Sequence, residues 1–400
     1  MPVETLPGGP GECLYRNWIR TLSDFHPDES IDLLRSLVTV RSYPGEEAAA
    51  QHVCAGWLEA NGMPVTYQTT RNGQPNVIAT IENGPGPTLL LNGHMDTVMA
   101  AQGWLHDPWQ GWREGDLFYG LGAADMKSGV VVNMLVARAL ARDLSAWRGT
   151  LIFSCVTDEE ALSLGARALH ASGAKADACI VTEPYFEGGA IGAPGKVLIR
   201  ADVTGKAAHG FTPWQGINAG IEAARFAAGV CDAVPALKHD KMPASQTVLS
   251  IHAGSELYVI TLPETARVLV TRLTVPGETR ESVLAGMRAY ADSLKSPARF
   301  EFATDEPYYA PWAFDEPEHP FTQAFAASYA AERGGAPNLY YGGGITDANV
   351  FSGEGGIPCI CHGPRGGNFH QCQEWVDLTS IPVTCRVVEG TALRFLGRQA

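Results

Sequence analysis

The chain has 400 residues, 45% of them hydrophobic and 18% charged, which is enough apolar material for a large core and for two domains. Its 29 basic and 43 acidic side chains leave a formal net charge of −14, which argues against nucleic acid or an anionic membrane surface as partner. Residues 1–10 are polar and Pro/Gly-rich, and the longest apolar stretch, around 129–140, is broken by Asn133 and Arg138. Nothing in the sequence therefore reads as a membrane span, and a soluble cytoplasmic protein is the expectation.

In chain order, residues 30–40 and 45–61 read as helices, the second closed by Gly62. Strand-like runs follow at 64–70, 76–81 and 88–91. The last holds Leu89, Leu90 and Leu91, a buried-strand pattern ending in Asn92-Gly93. His94 and Asp96 then stand where that strand stops, the rim on which open α/β sheets build their sites. A polar, tryptophan-rich stretch at 104–115 reads as a loop. The turn Gly120-Leu121-Gly122-Ala123-Ala124-Asp125 leads into a helix at 126–141. From position alone Asp125 reads as that helix's N-cap, with a metal-ligating carboxylate as the alternative.

Residues 150–156 form another buried strand, running into Asp158-Glu159-Glu160. Three successive carboxylates repel one another unless a cation is near or water solvates them. A short strand at 178–181 precedes Thr182-Glu183-Pro184. A strand at 358–362 precedes the glycine-rich segment that leads to His370. Four strand ends thus deliver imidazole or carboxylate groups to one rim, the pattern of a metal site rather than of isolated turns. A phosphate cradle is the weaker reading of these glycines, because no GxxxxGK[ST] is present. His362 and His106 read as structural.

From Lys196 the texture changes to single-residue alternation, and β-α-β-β-α-β follows to about 309, the order of a split-βαβ layer. The expectation is an α/β catalytic domain over 1–195 and 310–400 with a central mixed sheet. An inserted ferredoxin-like α+β domain spans 196–309. Nine cysteines without CxxC spacing read as mostly buried free thiols in a reducing compartment, with Cys359 and Cys361 on one face of a strand.

The segments LLLNGHMD, GLGAADMKSG, VTDEEALSLGA, VTEP, GKAAHGFTPWQGINA, GGGITDA and the late His before Glu-Trp-Val occur in a set order. Together they resemble the co-catalytic zinc amidohydrolase and peptidase family of acetylornithine deacetylase, succinyl-diaminopimelate desuccinylase, aminoacylase and carboxypeptidase G. The resemblance runs from about residue 30 to 385.

It implies two Zn²⁺ (Co²⁺ or Mn²⁺ being able to occupy the same N/O donors) about 3.5 Å apart. Asp125 would bridge them, His94 and Glu183 would complete one, and Glu160 and His370 the other. Asp96 would orient His94, and Glu159 would act as general base. The reaction implied is hydrolysis of an amide in an N-acyl amino acid or a related small carboxylate-bearing substrate. A dipeptidase or carboxypeptidase on the same site is the alternative, and a non-catalytic binding protein a remoter one.

The resemblance further implies a cis peptide at Asp125–Met126. His209 would lie in a lid segment that reaches the neighbouring subunit's site and would bond the oxyanion, making a homodimer through the inserted domain; a core histidine is the other reading. Arg272 would hold a substrate carboxylate, against a surface arginine as the other reading. Gly344, in the glycine bend, is expected beside the substrate. Two departures stand out: Leu121 replaces a frequent Arg, and Ile260 replaces a frequent Asn near the lid.

Overall fold

In the computed structural model, which describes residues 25–397, the chain begins with helix α1 (Pro27–Val38). The Pro/Gly-rich start and Cys13 lie outside the described residues. Proline in the first turn of α1 has no amide to leave unsatisfied, and Asp28 and Glu29 meet the positive end of the helix dipole. Helix α2 (Ala48–Ala60) starts three residues later than the sequence suggests, because Gly45 takes a left-handed turn at φ 90°.

Strands β1 (Val65–Thr69), β2 (Pro75–Asn83) and β3 (Thr88–His94) follow. β3 runs through His94 rather than stopping at Leu91, so the histidine is the strand's own last residue. The tryptophan-rich stretch contains a hairpin, β4 (Trp112–Glu114) and β5 (Leu117–Tyr119), where a loop was expected. Trp112 stacks on Tyr119 with ring centroids 4.8 Å apart, a cross-strand aromatic pair that stabilises so short a ladder.

Helix α3 (Ser128–Arg142) is buried along nearly its whole surface. It approaches the sheet so closely that a Cβ on Gly129 would lie 2.0 Å from the Thr182 carbonyl. Strand β6 (Gly149–Val156), helix α4 (Leu164–Ala171) and strands β7 (Ala178–Val181) and β8 (Gly188–Ala190) complete this stretch.

The next stretch holds β9 (Gly192–Ala193), β10 (Gly195–Thr204), α5 (Ala219–Ala233), β11 (Ser245–Ala253), β12 (Thr265–Thr274), α6 (Arg280–Ser293), β13 (Arg299–Tyr309) and β14 (Trp312–Ala313). After it come α7 (Pro320–Arg333), β15 (Asn338–Tyr340), β16 (Cys359–Cys361), β17 (Gly366–Gly367), β18 (Trp375–Asp377) and α8 (Ser380–Phe395).

Two units result. One comprises Met1–Gly189, Glu316–Leu339 and Ile357–Ala400; the other comprises Ala190–Asp315 and Tyr340–Gly356. The second is larger than 196–309 because Asn349 donates to the carbonyls of Pro194 and Ala310 at 2.9 and 2.8 Å, which draws the segment around it into this unit.

In the first unit the central sheet is mixed, in the order β1-β2-β6-β3-β7-β16-β8-β15. β3 lies parallel between β6 and β7, and β7 pairs parallel with β16, so these four strands end on one side. Burial on both faces explains their unbroken apolar runs. In the second unit the antiparallel sheet β11-β12-β10-β13 has the ferredoxin-like order. β10 alternates buried and half-buried residues, and its Val197, Ile199, Ala201 and Val203 pack with Phe226 of α5 and Met287 of α6. Among the described residues eight cysteines are free, six of them buried, and no helix is long and apolar enough to cross a membrane.

One carboxylate is buried within the last helix. Glu389 on α8 is 3% exposed, with Oε1 lacking a hydrogen-bond partner. Burial pushes its carboxyl up to about 7 despite the nearby Arg386, whose guanidinium is engaged by Glu332 at 2.5 Å. A carboxyl raised in the folded state binds a proton that the unfolded chain has released. Stability therefore falls as pH rises from the ordinary glutamate range to about 7, then levels. Glu389→Gln should remove that slope, gaining roughly 2–3 kcal/mol over the native protein at pH 8 and little at pH 4.5. Urea unfolding of both proteins across this window checks it, and parallel curves would refute it.

Candidate metal centre

The common strand ends of the first unit supply the side chains. His94 closes β3 in register with Val156, the last residue of β6. Beyond Val156 the chain turns at Asp158, which is left-handed (φ 67°) and accepts the amides of Ala161, Leu162 and Ser163 on its carbonyl. Asp and Asn tolerate this conformation better than other residues do. Asp158 is thus consumed in building the turn, and the next two residues are turned toward the histidines. Glu183 lies two residues past β7. His370 stands beyond β16 in a loop with three left-handed non-glycine residues, Asn368, His370 and Gln373. That loop is tied by Asn368 Nδ2 donating to the Gln373 carbonyl at 2.9 Å and Gln373 Nε2 donating to the Gly103 carbonyl at 3.0 Å.

Asp125 sits between the two imidazoles. Its Oδ1 is 3.3 Å from His94 Nε2 and its Oδ2 is 3.3 Å from His370 Nε2. Glu160 Oε1 is 3.1 Å from His370 Nε2. Glu183 Oε1 and Glu159 Oε2 lie 3.8 and 3.9 Å from His94 Nε2. Ligand-type atoms of His94, Asp125 and Glu160 fall within 4.8 Å of one another, a spacing that suits a cation. His94 is fully buried, yet its Nε2 has no partner with hydrogen-bond geometry. An orphaned imidazole nitrogen surrounded by carboxylate oxygens fits a metal, and the N/O donor set suits zinc or a similar divalent ion.

The electrostatics agree. Burial works against charge on His94, but Asp125, Asp96, Glu159 and Glu183 hold its proton well above the ordinary histidine range. His370 is lifted to about 10 by Asp125 and then Glu160. Burial alone would raise Asp125, yet the two imidazoles pull it below the usual carboxylate range, while burial keeps Glu160 raised. A field that concentrates protons on two imidazoles would concentrate divalent cations in their place.

Asp125 is not the helix cap that its position suggests. α3 begins at Ser128 after a widened turn, and no side chain caps it. The Asp125–Met126 peptide is cis, as the resemblance implied. Asp96 supports His94 differently from expectation. His94 Nδ1 lies 3.0 Å from the Asp96 backbone carbonyl and 3.6 Å from its carboxylate, whose Oδ2 accepts the Glu160 amide at 2.9 Å. Asp96 therefore joins the ends of β3 and β6 as well as orienting the imidazole.

Two buried groups here escaped the sequence reading. Lys127 Nζ donates to the carbonyls of Leu37 and Val40 at 2.9 and 3.1 Å, and burial pulls it down to about 8. Glu374 accepts backbone amides of the Asp125 turn; burial and the Asp125 charge push it up to about 8, against the pull of those amides. Neither stands in a pattern that flags it, since each has partners distant in sequence.

The remaining candidates belong to the second unit. His209 is exposed, and its Nδ1 accepts the Phe211 amide at 3.2 Å. Ile260 lies against the same segment, its carbonyl accepting the Gly210 amide at 3.1 Å. Gly344 is exposed, with open space where a Cβ would be. Arg272 is 4% exposed and committed within the unit. It pairs with Glu278 and donates to the carbonyls of Val234 and Pro235 and to Gln246, each at 3.0 Å. It is neither a surface arginine nor a free fork. Holding a substrate carboxylate would require it to break a buried pair.

The family model for peptidase family M20/M25/M40 matches residues 90–394. The chain belongs to this family. It is accordingly an enzyme of the metallopeptidase and amidohydrolase class. It is 27% identical over 377 residues to a succinyl-diaminopimelate desuccinylase of Methylobacterium radiotolerans, covering 90% of this chain and 95% of the relative. An acetylornithine deacetylase of Aliivibrio salmonicida is 36% identical over 186 residues, 45% of this chain and 48% of the relative. Among solved structures, the aminopeptidase PepT of Bacillus cereus superposes with a TM-score of 0.75 at 21% identity, over 92% of this chain and 99% of the other. The Bacillus subtilis YXEP protein, a dinuclear metal-binding peptidase, gives 0.71 at 19% identity, over 92% and 98%. At these identities the two structures speak for the fold.

Proposed function

We propose that this M20-family enzyme is a zinc-dependent hydrolase that cleaves the amide bond of an N-acyl amino acid or a related small carboxylate-bearing substrate. The observation that carries the reading is the Asp125 carboxylate standing 3.3 Å from each of two imidazoles, with further carboxylates on both sides. Likeness along nearly the full length of a desuccinylase supports the acyl-amino-acid side over a peptide substrate.

Asp125 would bridge two ions, His94 and Glu183 would hold one, and Glu160 and His370 the other. When bound, the ions would lower the pKa of a water toward neutrality and polarise the amide carbonyl. The chain's own residues supply the rest. Glu159, adjacent to ligand Glu160 but turned toward the His94 side, would take the water's proton and deliver it to the leaving nitrogen. Asp96 would keep the His94 ring facing the centre.

The reading extends to a homodimer in which His209 serves the neighbouring subunit and hydrogen-bonds the developing oxyanion. Support comes from the second unit's β11, an edge strand that exposes Leu249 at 53% and Ile251 at 46%; such an edge calls for a covering partner. Gly344, where no side chain obstructs, would lie against the substrate backbone, and Arg272 would contribute only if released from Glu278.

Hydrolysis of N-acetyl and N-succinyl amino acids alongside dipeptides, before and after chelation, tests the proposal. Acyl amino acids should be hydrolysed, activity should vanish with the metal, and readdition of Zn²⁺ should restore it. Preferential dipeptide cleavage would replace the substrate assignment with a peptidase. Activity unaffected by chelation, with no metal retained, would remove the mechanism.

A further inference from the structure

We propose that Glu374 is a positioning residue for the carboxylate between the two histidines: it takes over the backbone amides of the Asp125 turn so that both Asp125 oxygens are left for cations. The inference rests on the dinuclear reading above. Glu374 is 1% exposed. Its Oε2 accepts the Gly122 amide at 2.8 Å, and its Oε1 accepts those of Ala124 and Asp125 at 2.8 and 3.0 Å. Its own carbonyl accepts the Gly120 amide at 3.1 Å. One residue thus occupies four amide donors of a single turn.

At an ordinary helix start those donors are satisfied by the Asp side chain itself, which would turn its carboxylate back onto the backbone. Here that work is done by a carboxylate brought from elsewhere. The pairing of Trp375 with Tyr119 and of Val376 with Phe118 holds Glu374 opposite the turn. The fit is close. A Cβ on Gly122, left-handed at φ 74°, would meet Thr97 at 2.3 Å, and one on Gly366 would meet Ala124 at 2.3 Å. The segment carrying Glu374 also carries His370, four residues earlier. The same contact therefore fixes the spacing between the two side chains that face each other across the centre.

The chemistry requires a carboxylate. Three buried N–H groups converge on two oxygens, whereas an amide offers one oxygen and sets its own N–H₂ against the remaining donors. The readouts for the test are Zn²⁺ affinity of the metal-free protein, by competition with a chromophoric chelator, and the visible spectrum of the Co²⁺-loaded protein. Both are taken where circular dichroism shows the metal-free variant folded. Glu374→Gln should bind Zn²⁺ at least tenfold more weakly and shift the Co²⁺ bands. Glu374→Asp, which keeps both carboxyl oxygens on a shorter arm, should recover part of the affinity. A folded Glu374→Gln protein with native affinity and spectrum would overturn the inference, and so would a Glu374→Asp protein that binds no better than Glu374→Gln. Should the glutamine variant not fold, Glu374→Asp decides alone: weakened binding with shifted bands supports the role, and native values overturn it. Absence of metal binding in the native protein would instead sink the dinuclear reading itself.

Discussion

Replacing Glu159 by Gln should leave the metal content of the protein unchanged and lower turnover by roughly two to four orders of magnitude, the range that general-base catalysis supplies. The expectation follows from how the turn after β6 divides its two glutamates. Glu160 Oε1 lies 3.1 Å from His370, whereas Glu159 Oε2 is 3.9 Å from His94, so the two neighbours face different imidazoles. A carboxylate beside the imidazole suits the role of proton acceptor. Gln keeps the volume and removes the basicity. Elemental analysis together with kinetics of the purified variant decides the matter. Turnover within tenfold of the native enzyme, or loss of a metal ion, would assign Glu159 a different role.

Asp125→Asn should behave in the opposite way. The amide retains one acceptor oxygen and loses the charge that two cations would share, so the variant should hold at most one ion per chain and lose activity by at least about a thousandfold. The fold should survive, because the amides of this turn are held by Glu374 and not by Asp125. Circular dichroism, metal content and turnover are measured together. Two ions retained with native activity would show that Asp125 does not bridge. Between them the two variants separate holding the metal from moving the proton.

The features legible in the sequence share one property: their cause is local. Leu89 to Leu91 read as a buried strand because each residue carries that information by itself, and His94 follows by its place at the strand's end. The alternation from Val197 to Val203 likewise announces a strand with one face against Phe226 and Met287. What escaped depends on partners far along the chain. Glu374 reads as an acid before a short strand, and its significance lies some 250 positions upstream. Arg272 reads as a ligand for substrate, whereas Glu278, on the far side of a turn, pairs with it. Position alone makes Asp125 a cap; the family resemblance makes it a ligand, and its carboxylate stands 3.3 Å from each of two imidazoles. The hairpin of β4 and β5 hid because three-residue strands carry too few residues to show a period.

The paired order of the central sheet has a consequence for biosynthesis. β16, which leads to the last histidine, adds to β7 only after the whole second unit and α7 have been made. In the proposed dinuclear centre, four of the five donor side chains would thus be synthesised well before the fifth. Until residue 370 and the glutamate behind it arrive, Asp125 has neither its second imidazole nor the brace for its turn. On that reading, capture of a full pair of ions would wait for the segment that carries residue 370.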